Sequence, residues 1–307
     1  MREDAPSSTA VLIAAAMVYA DADPRYRCLG PVDRATDSRK LIAALPAAKR
    51  VLLRALCSPL LRWFVRLIER STVPGIVAHF ILRKRFIEAA VLEAIAEGAS
   101  QVLVIGAGFD TLTLRLHRMH PHVKFVELDH AATQCYKRKA LAASGVGENI
   151  VLRAFDLTRQ TLQQSLSGIR HWNDRAKTVF VMEGVLMYLD RSAVYALFEA
   201  IARQHASHIR VVFSALETMP NGRIDFQNAT WLAKRLLHYW REPFRSSMSK
   251  DELSTVLTRL GYASVRTATT EALRKRYFPG SESAVAVVAQ GELLCVADRI
   301  DGRPSGV

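Results

Sequence analysis

The chain has 307 residues, half of them apolar and 23% charged, with a formal net charge of +13 and a pI near 9.9. That is an ordinary globular composition, able to bury a large core as one large domain or two small ones. The basic balance suits an anionic ligand, a nucleic acid or a membrane surface, and equally a basic soluble surface with no such partner. The four cysteines, Cys28, Cys57, Cys135 and Cys295, form no CxxC pair and have no metal-like spacing, so no metal site is expected and a cytoplasmic setting is.

In chain order, Thr9 to Ala20 reads as an alanine-rich helix lying on the domain. It looks a little like a signal peptide, but Glu3 and Asp4 outweigh Arg2 ahead of it. Asp21 to Arg39 is polar and loop-like. Helix resumes at Lys40 and is interrupted by Pro46, Pro59 and Pro74. In Arg50 to Arg70, the four-residue spacing of Arg62, Arg66 and Arg70 puts them on one helix face. The segment is expected to pack its apolar side on the core with its arginines in water, and a membrane-surface helix is the alternative. No segment has the roughly 18 uninterrupted apolar residues of a membrane span.

A long amphipathic helix from Ile81 to Gly98 leads into a strand starting at Val102. Strands near 123–128, 150–155, 178–182 and 209–214 then alternate with helices near 131–143, 158–168 and 190–205. Such alternation predicts an α/β fold, a doubly wound, mostly parallel sheet covered on both faces. An aromatic, basic insertion, Glu217 to Met248, follows the fifth strand and suits a lid or substrate wall. A helix over 250–260 and two late strands near 262–268 and 283–289 would complete seven strands.

The chemistry-bearing stretch is Gln101 to His130. An apolar run turns on Gly106-Ala107-Gly108, enters a helical pattern and returns as a second apolar run ending at Glu127 and Asp129. A dinucleotide fingerprint has a third glycine three residues after the second, beside the pyrophosphate. Thr111 stands there. The turn still lets a ligand approach the backbone, so the pattern favours an adenosine ligand without a pyrophosphate, of which S-adenosyl-L-methionine is the common one. A ribose diol needs a carboxylate about 20 residues past the glycines. Spacing leaves Glu127 and Asp129 both open. Asp156 ends the third strand, where it can accept from an adenine amino group beside Leu157 or cap the next helix. Glu183, followed by Gly184, ends the fourth strand at the mouth where such sheets bind ligands.

These residues resemble the leucine carboxyl methyltransferase family, specifically its bacterial branch of S-adenosyl-L-methionine-dependent O-methyltransferases. The resemblance rests on LRKRFIE (82–88), GAGFDTLTLRL (106–116), FVELDHAATQ (125–134) with Lys137, AFDL (154–157) and MEGVLMYL (182–189). It implies a class I methyltransferase (Rossmann-like) fold, with residues 1–80 as a helical N-terminal cap and 81–307 as the cofactor-binding domain. It further implies that Arg83 pairs with the methionine carboxylate, and that Gly106 and Gly108 form the methionine-side turn. Asp129 would serve the ribose, Asp156 and Leu157 the adenine, and Glu183 the methionine amino end or the substrate mouth. That choice prefers Asp129 over Glu127. Ala131, where the family often has proline, is a departure.

The expected reaction is methyl transfer to an oxygen, carboxylate or hydroxyl, of a small-molecule acceptor that is anionic on the charge argument. His130, His208 and Tyr188 are conceivable bases for a hydroxyl acceptor, and no catalytic residue is assigned. An NAD-type oxidoreductase, disfavoured by Thr111, and a basic nucleic-acid or membrane-surface protein with a vestigial cofactor site are the alternatives. No nucleic-acid recognition motif occurs.

Overall fold

The apolar runs become strands because each is buried on both faces. In β1 (Gln101–Ile105), Val102 and Val104 pack into one core while Leu103 and Ile105 pack into the other. A computed structural model of the chain describes residues 6–29, 34–47, 50, 51, 53, 58–142, 147–156, 160–263, 265–278 and 287–300. β1, β2 (Lys124–Asp129), β3 (Ile150–Ala154), β4 (Thr178–Met182) and β5 (His208–Leu216) are parallel. β7 (Glu292–Ile300) runs antiparallel between β5 and β6 (Arg266–Thr269). The seven strands stand in the order β3-β2-β1-β4-β5-β7-β6. Chain direction across the sheet reverses between β1 and β4, and the crevice at that switch point is where such sheets bind ligands.

The late strands differ from the sequence expectation. Of the strand expected near 283–289, residues 283–286 lie outside the described residues and 287–289 are not in a strand; β7 lies at Glu292–Ile300, and β6 starts at Arg266 rather than near 262. Charge misled the reading, because Glu292, Asp298 and Arg299 flank the apolar run LLCVA. In the fold these charges are matched: Arg210 of β5 stands opposite Asp298 and donates to it at 2.7 Å.

The N-terminal part agrees with expectation at its first helix and departs from it further on. The helix Ser8–Ala22 shares a core with the sheet through Val11, Ala14, Ala15 and Val18. The polar stretch 21–39 is not a loop throughout, since Pro24–Leu29 forms a 3-10 helix and Arg34–Ala43 an α-helix. The long helix starts at Ile76, five residues before expectation, and runs to Ala96 across residue 80 without a break. It is buried around most of its circumference rather than amphipathic. Among the described residues, no helix is long and apolar enough to cross a membrane.

Candidate functional site

A cavity of about 550 Å³ opens at the C-terminal ends of β1 to β4. Arg83, Gly106, Gly108, Asp129, Asp156 and Glu183 all line it. Leu157 lies outside the described residues. The volume is that of a cofactor-sized pocket.

The glycine turn is built for close approach. Gly106 has φ +68°, and a Cβ there would lie 2.4 Å from a Val185 methyl carbon. No other residue fits without displacing the wall. The Gly106 N–H donates to the Leu128 carbonyl at 2.7 Å, which holds the turn onto β2. The Asp129 carboxylate closes the same turn, accepting from the Gly108 N–H on one oxygen and from the His130 N–H at 2.6 Å on the other. Burial pushes the Asp129 pKa up against these two backbone donors.

Glu127 lies elsewhere. Two residues back on β2, it shares a sheet face with Asp129 but sits under the helices instead of at the strand end. It pairs with Lys137 at 2.6 Å, accepts from the Thr113 hydroxyl, and is 1% exposed. Burial raises its pKa while Lys137 lowers it. The same lysine donates to the Asp110 carbonyl at 2.6 Å, so it props the glycine turn from behind.

The cavity's inner wall is an ion cluster carried by the helix Ile76–Ala96. Arg83, 2% exposed, donates from Nε to Glu183 at 3.1 Å and from Nη1 to both oxygens of Glu292 at 3.1 Å. Its Nη2 is buried and has no partner among the described residues, and it lies at the position that a side chain on Gly184 would crowd. Glu292 in turn contacts His79 Nε2, while His79 Nδ1 lies 3.1 Å from the Ala289 carbonyl. Burial opposes ionisation of Glu292, but Arg83 and then His79 outweigh it and hold the carboxyl at about 2. Lys84 pairs with Asp110 at 2.7 Å and with Glu183 at 3.1 Å. Desolvation resists ionisation of Asp110, and Lys84 overrides it, so this carboxyl titrates well below the usual range.

The outer wall comes from the first helix and from the insertion. Glu242 accepts from the backbone N–H groups of Ser8 at 2.9 Å and Thr9 at 3.0 Å, and from the Thr9 hydroxyl at 2.5 Å. A carboxylate at a helix N-terminus meets unpaired N–H groups and the positive end of the dipole. The preceding Arg241 takes a left-handed backbone, φ 60°, at a cost of about 1–2 kcal/mol for a non-glycine residue. Arg241 and Arg245 are exposed and line the mouth.

Two of the conceivable bases lie at the cavity and one does not. His130 lines it, with Nδ1 accepting from the Ala132 N–H at 3.4 Å as a helix cap. Tyr188 lines it too, and burial pushes its hydroxyl to about 12. His208 opens β5 at the opposite end of the sheet and pairs with Asp298 at 3.0 Å.

Sequence reasoning missed Lys84, Asp110, Glu242 and Glu292. Lys84 and Asp110 lie inside the conspicuous segments LRKRFIE and GAGFDT. The signal for Glu292 was a lone acid opening an otherwise apolar run. Glu242 gave no signal of its own.

The leucine carboxyl methyltransferase model matches residues 46–202, just over half of the chain. A protein of Streptomyces avermitilis named "Putative S-adenosyl-L-methionine-dependent methyltransferase" is 31% identical over 134 residues, 43% of this chain and 46% of that protein. A protein of the same name from Mycobacterium sp. strain JLS is 28% identical over 197 residues, 62% of this chain and 73% of that one. The chain therefore spans about half the length of the first of these relatives. The crystal structure of a "putative methyltransferase" from Thermobifida fusca superposes with a TM-score of 0.56 at 14% identity, covering 85% of this chain and 94% of that one. At that identity the likeness speaks for the fold alone, a class I methyltransferase fold. By its sequence match, with a sheet and glycine turn that agree, the chain belongs to the leucine carboxyl methyltransferase family.

Proposed function

We propose that the chain is an S-adenosyl-L-methionine-dependent O-methyltransferase acting on a carboxylate or hydroxyl of a small-molecule acceptor. The observation that carries this reading is the buried, unpartnered Nη2 of Arg83 beside Gly184 at the cavity wall. A buried charged donor without a partner is costly, and a ligand carboxylate is the partner that removes the cost. Asp129 offers its remaining lone pairs for a ribose diol, Asp156 lies at the end of β3 for an adenine amino group, and Glu183, paired with Arg83 and lining the cavity, is placed for an ammonium. The relatives named as S-adenosyl-L-methionine-dependent methyltransferases support the same reading.

When bound, the cofactor supplies a methyl group made electrophilic by a sulfonium. The chain's own contribution is alignment and exclusion of water. Arg83 and the glycine turn fix one end of the cavity. Ser7, Thr9 and Glu242 close the outer wall. A carboxylate acceptor is a nucleophile at neutral pH and needs no base. Tyr188, titrating near 12, keeps its proton there and serves as a donor or a wall rather than as a base.

A radiolabelled methyl-transfer screen over carboxylic and phenolic metabolites tests the reaction. Base-labile label marks an ester and base-stable label an ether. The ribose assignment is tested by calorimetry: Asp129→Ala is expected to weaken S-adenosyl-L-methionine binding by about tenfold or more, and unchanged affinity would remove that assignment.

A further inference from the structure

The helix Arg62–Thr72 is folded with its polar side inward, against the expectation that its apolar side packs on the core. Its one buried residue is Glu69, which accepts from the Val77 N–H at 3.2 Å and from the Tyr26 hydroxyl at 3.4 Å. Arg66, on the same side, reaches the fully buried Asp23 at 3.2 Å. The apolar side is outside: Trp63 is 63% exposed, Phe64 40%, Leu67 51% and Ile68 41%, and Leu60 just before them is 83% exposed. A helix at a protein surface ordinarily spends its apolar stripe on the core.

A second helix beside it turns Ala233, Leu236 and Leu237 inward but likewise leaves large apolar and aromatic side chains in solvent. Trp231–Tyr239 packs against Arg62–Thr72, fastened by the Thr230 N–H to the Thr72 carbonyl at 2.8 Å and by Asn228 to the Pro74 carbonyl at 2.9 Å. Its one buried residue is Ala233, while Trp231 is 71% and Tyr239 72% exposed. Arg70, Lys234, Arg235 and His238 are exposed among these rings. Across 58–72 and 228–241 the only acid is Glu69, and it is buried.

We propose that this two-helix surface docks on an anionic lipid bilayer, lying in the headgroup plane without spanning it. Exposed tryptophan and tyrosine suit the interface between headgroups and acyl chains. Exposed lysine and arginine with no exposed acid match a negative lipid surface in sign. A second copy of this chain is the poorer occupant, because a two-fold contact sets this cationic patch against itself. The proposal stands independently of the methyl-transfer reading, since none of the exposed aromatic, leucine, lysine or arginine side chains named here lines the cavity.

The test is co-sedimentation of the full chain with vesicles of phosphatidylcholine alone and of phosphatidylcholine mixed with phosphatidylglycerol. The chain is expected to partition onto the mixed vesicles, less onto the neutral ones, and less as salt rises. The triple variant Trp63→Ser, Leu67→Ser, Trp231→Ser is expected to lower the partition coefficient by about tenfold or more. Its circular dichroism and thermal midpoint should stay unchanged, because the replaced side chains are exposed. The pair Lys234→Glu, Arg235→Glu should weaken binding to the mixed vesicles only. Three results overturn the proposal: no binding to mixed vesicles, undiminished binding by the triple variant, or a wild-type dimer that the triple variant converts to monomer.

Discussion

The first helix, Ser8–Ala22, joins two buried ion clusters of different design. Near its C-terminal end, Asp23 is fully subscribed. It accepts from Tyr19 at 2.9 Å, from Arg25 at 2.9 Å and from Arg66 at 3.2 Å. The two arginines keep side-chain exposures of 35% and 40% and so open partly to water, although Arg66 Nε is itself buried without a partner among the described residues. Near its N-terminal end, at the cavity, the centre is instead an arginine. Arg83 is almost wholly enclosed and retains one donor with no partner among the described residues. Buried polar groups in native proteins are overwhelmingly paired. An acid ringed by donors fastens two segments. An enclosed arginine with a donor left over, beside an open cavity, is fitted to receive something.

The largest expected effect comes from removing the acid that holds Arg83 in place. Glu292→Gln leaves a buried guanidinium with half its charge compensation and should cost about 3–5 kcal/mol of stability, read by urea denaturation. The pH dependence gives an independent check. Glu292 titrates at about 2 in the fold against an ordinary value of 4.5, so it binds fewer protons folded than unfolded. Its contribution is complete above about pH 4.5 and is lost as pH falls towards 2. The variant should lack that component of acid destabilisation.

Arg83→Lys comes next. Lysine keeps the charge and loses the fork, so the cluster survives while the spare donor does not. Affinity for S-adenosyl-L-methionine is expected to fall by about tenfold to a hundredfold, measured by calorimetry, with a smaller loss in thermal midpoint. An unchanged affinity would mean that the spare donor faces no ligand. At the other cluster the two readouts should reverse. Asp23→Asn is expected to cost about 1–3 kcal/mol of stability and leave cofactor affinity as it was. A tenfold affinity loss there would show that the clusters are not independent.

How much of this was legible in the sequence follows from where each partner lies along the chain. The glycine turn, β2 and its acids occupy thirty consecutive residues, so their geometry is local and periodicity reveals it. The choice between Glu127 and Asp129 was legible only through the family resemblance. Both point to one sheet face, and what separates them is whether a helix covers the strand at that point. Glu292 was illegible because its partners, Arg83 and His79, lie more than two hundred residues away. An isolated acid before an apolar run reads as the end of a loop. The inverted helix was misread for the same reason. Its amphipathic pattern is plain in Arg62–Thr72, but periodicity gives the two faces and not which one turns inward. Asp23 and Tyr26, which claim the polar face, lie some forty residues upstream.

The smallest effect concerns the residue that ties the insertion to the first helix. Glu242 holds four donors at the start of Ser8–Ala22, the Ser7 and Thr9 hydroxyls and the Ser8 and Thr9 N–H groups. Glu242→Gln keeps the shape and part of the hydrogen bonding, and removes the charge from the helix N-terminus. A capping loss of about 0.5–2 kcal/mol is the expected ceiling. The same residue lines the cavity's outer wall, so loosening it should raise solvent access at that wall even where global stability barely moves. Hydrogen exchange separates the two effects. Faster exchange confined to the amides of Ser8, Thr9 and Ala10, with the Asp23 end of the helix protected as before, would show that the clamp serves the cavity. Uniformly faster exchange along the whole helix would show that both ends hold it as one unit, and that the contrast between the clusters is one of chemistry and not of mechanics.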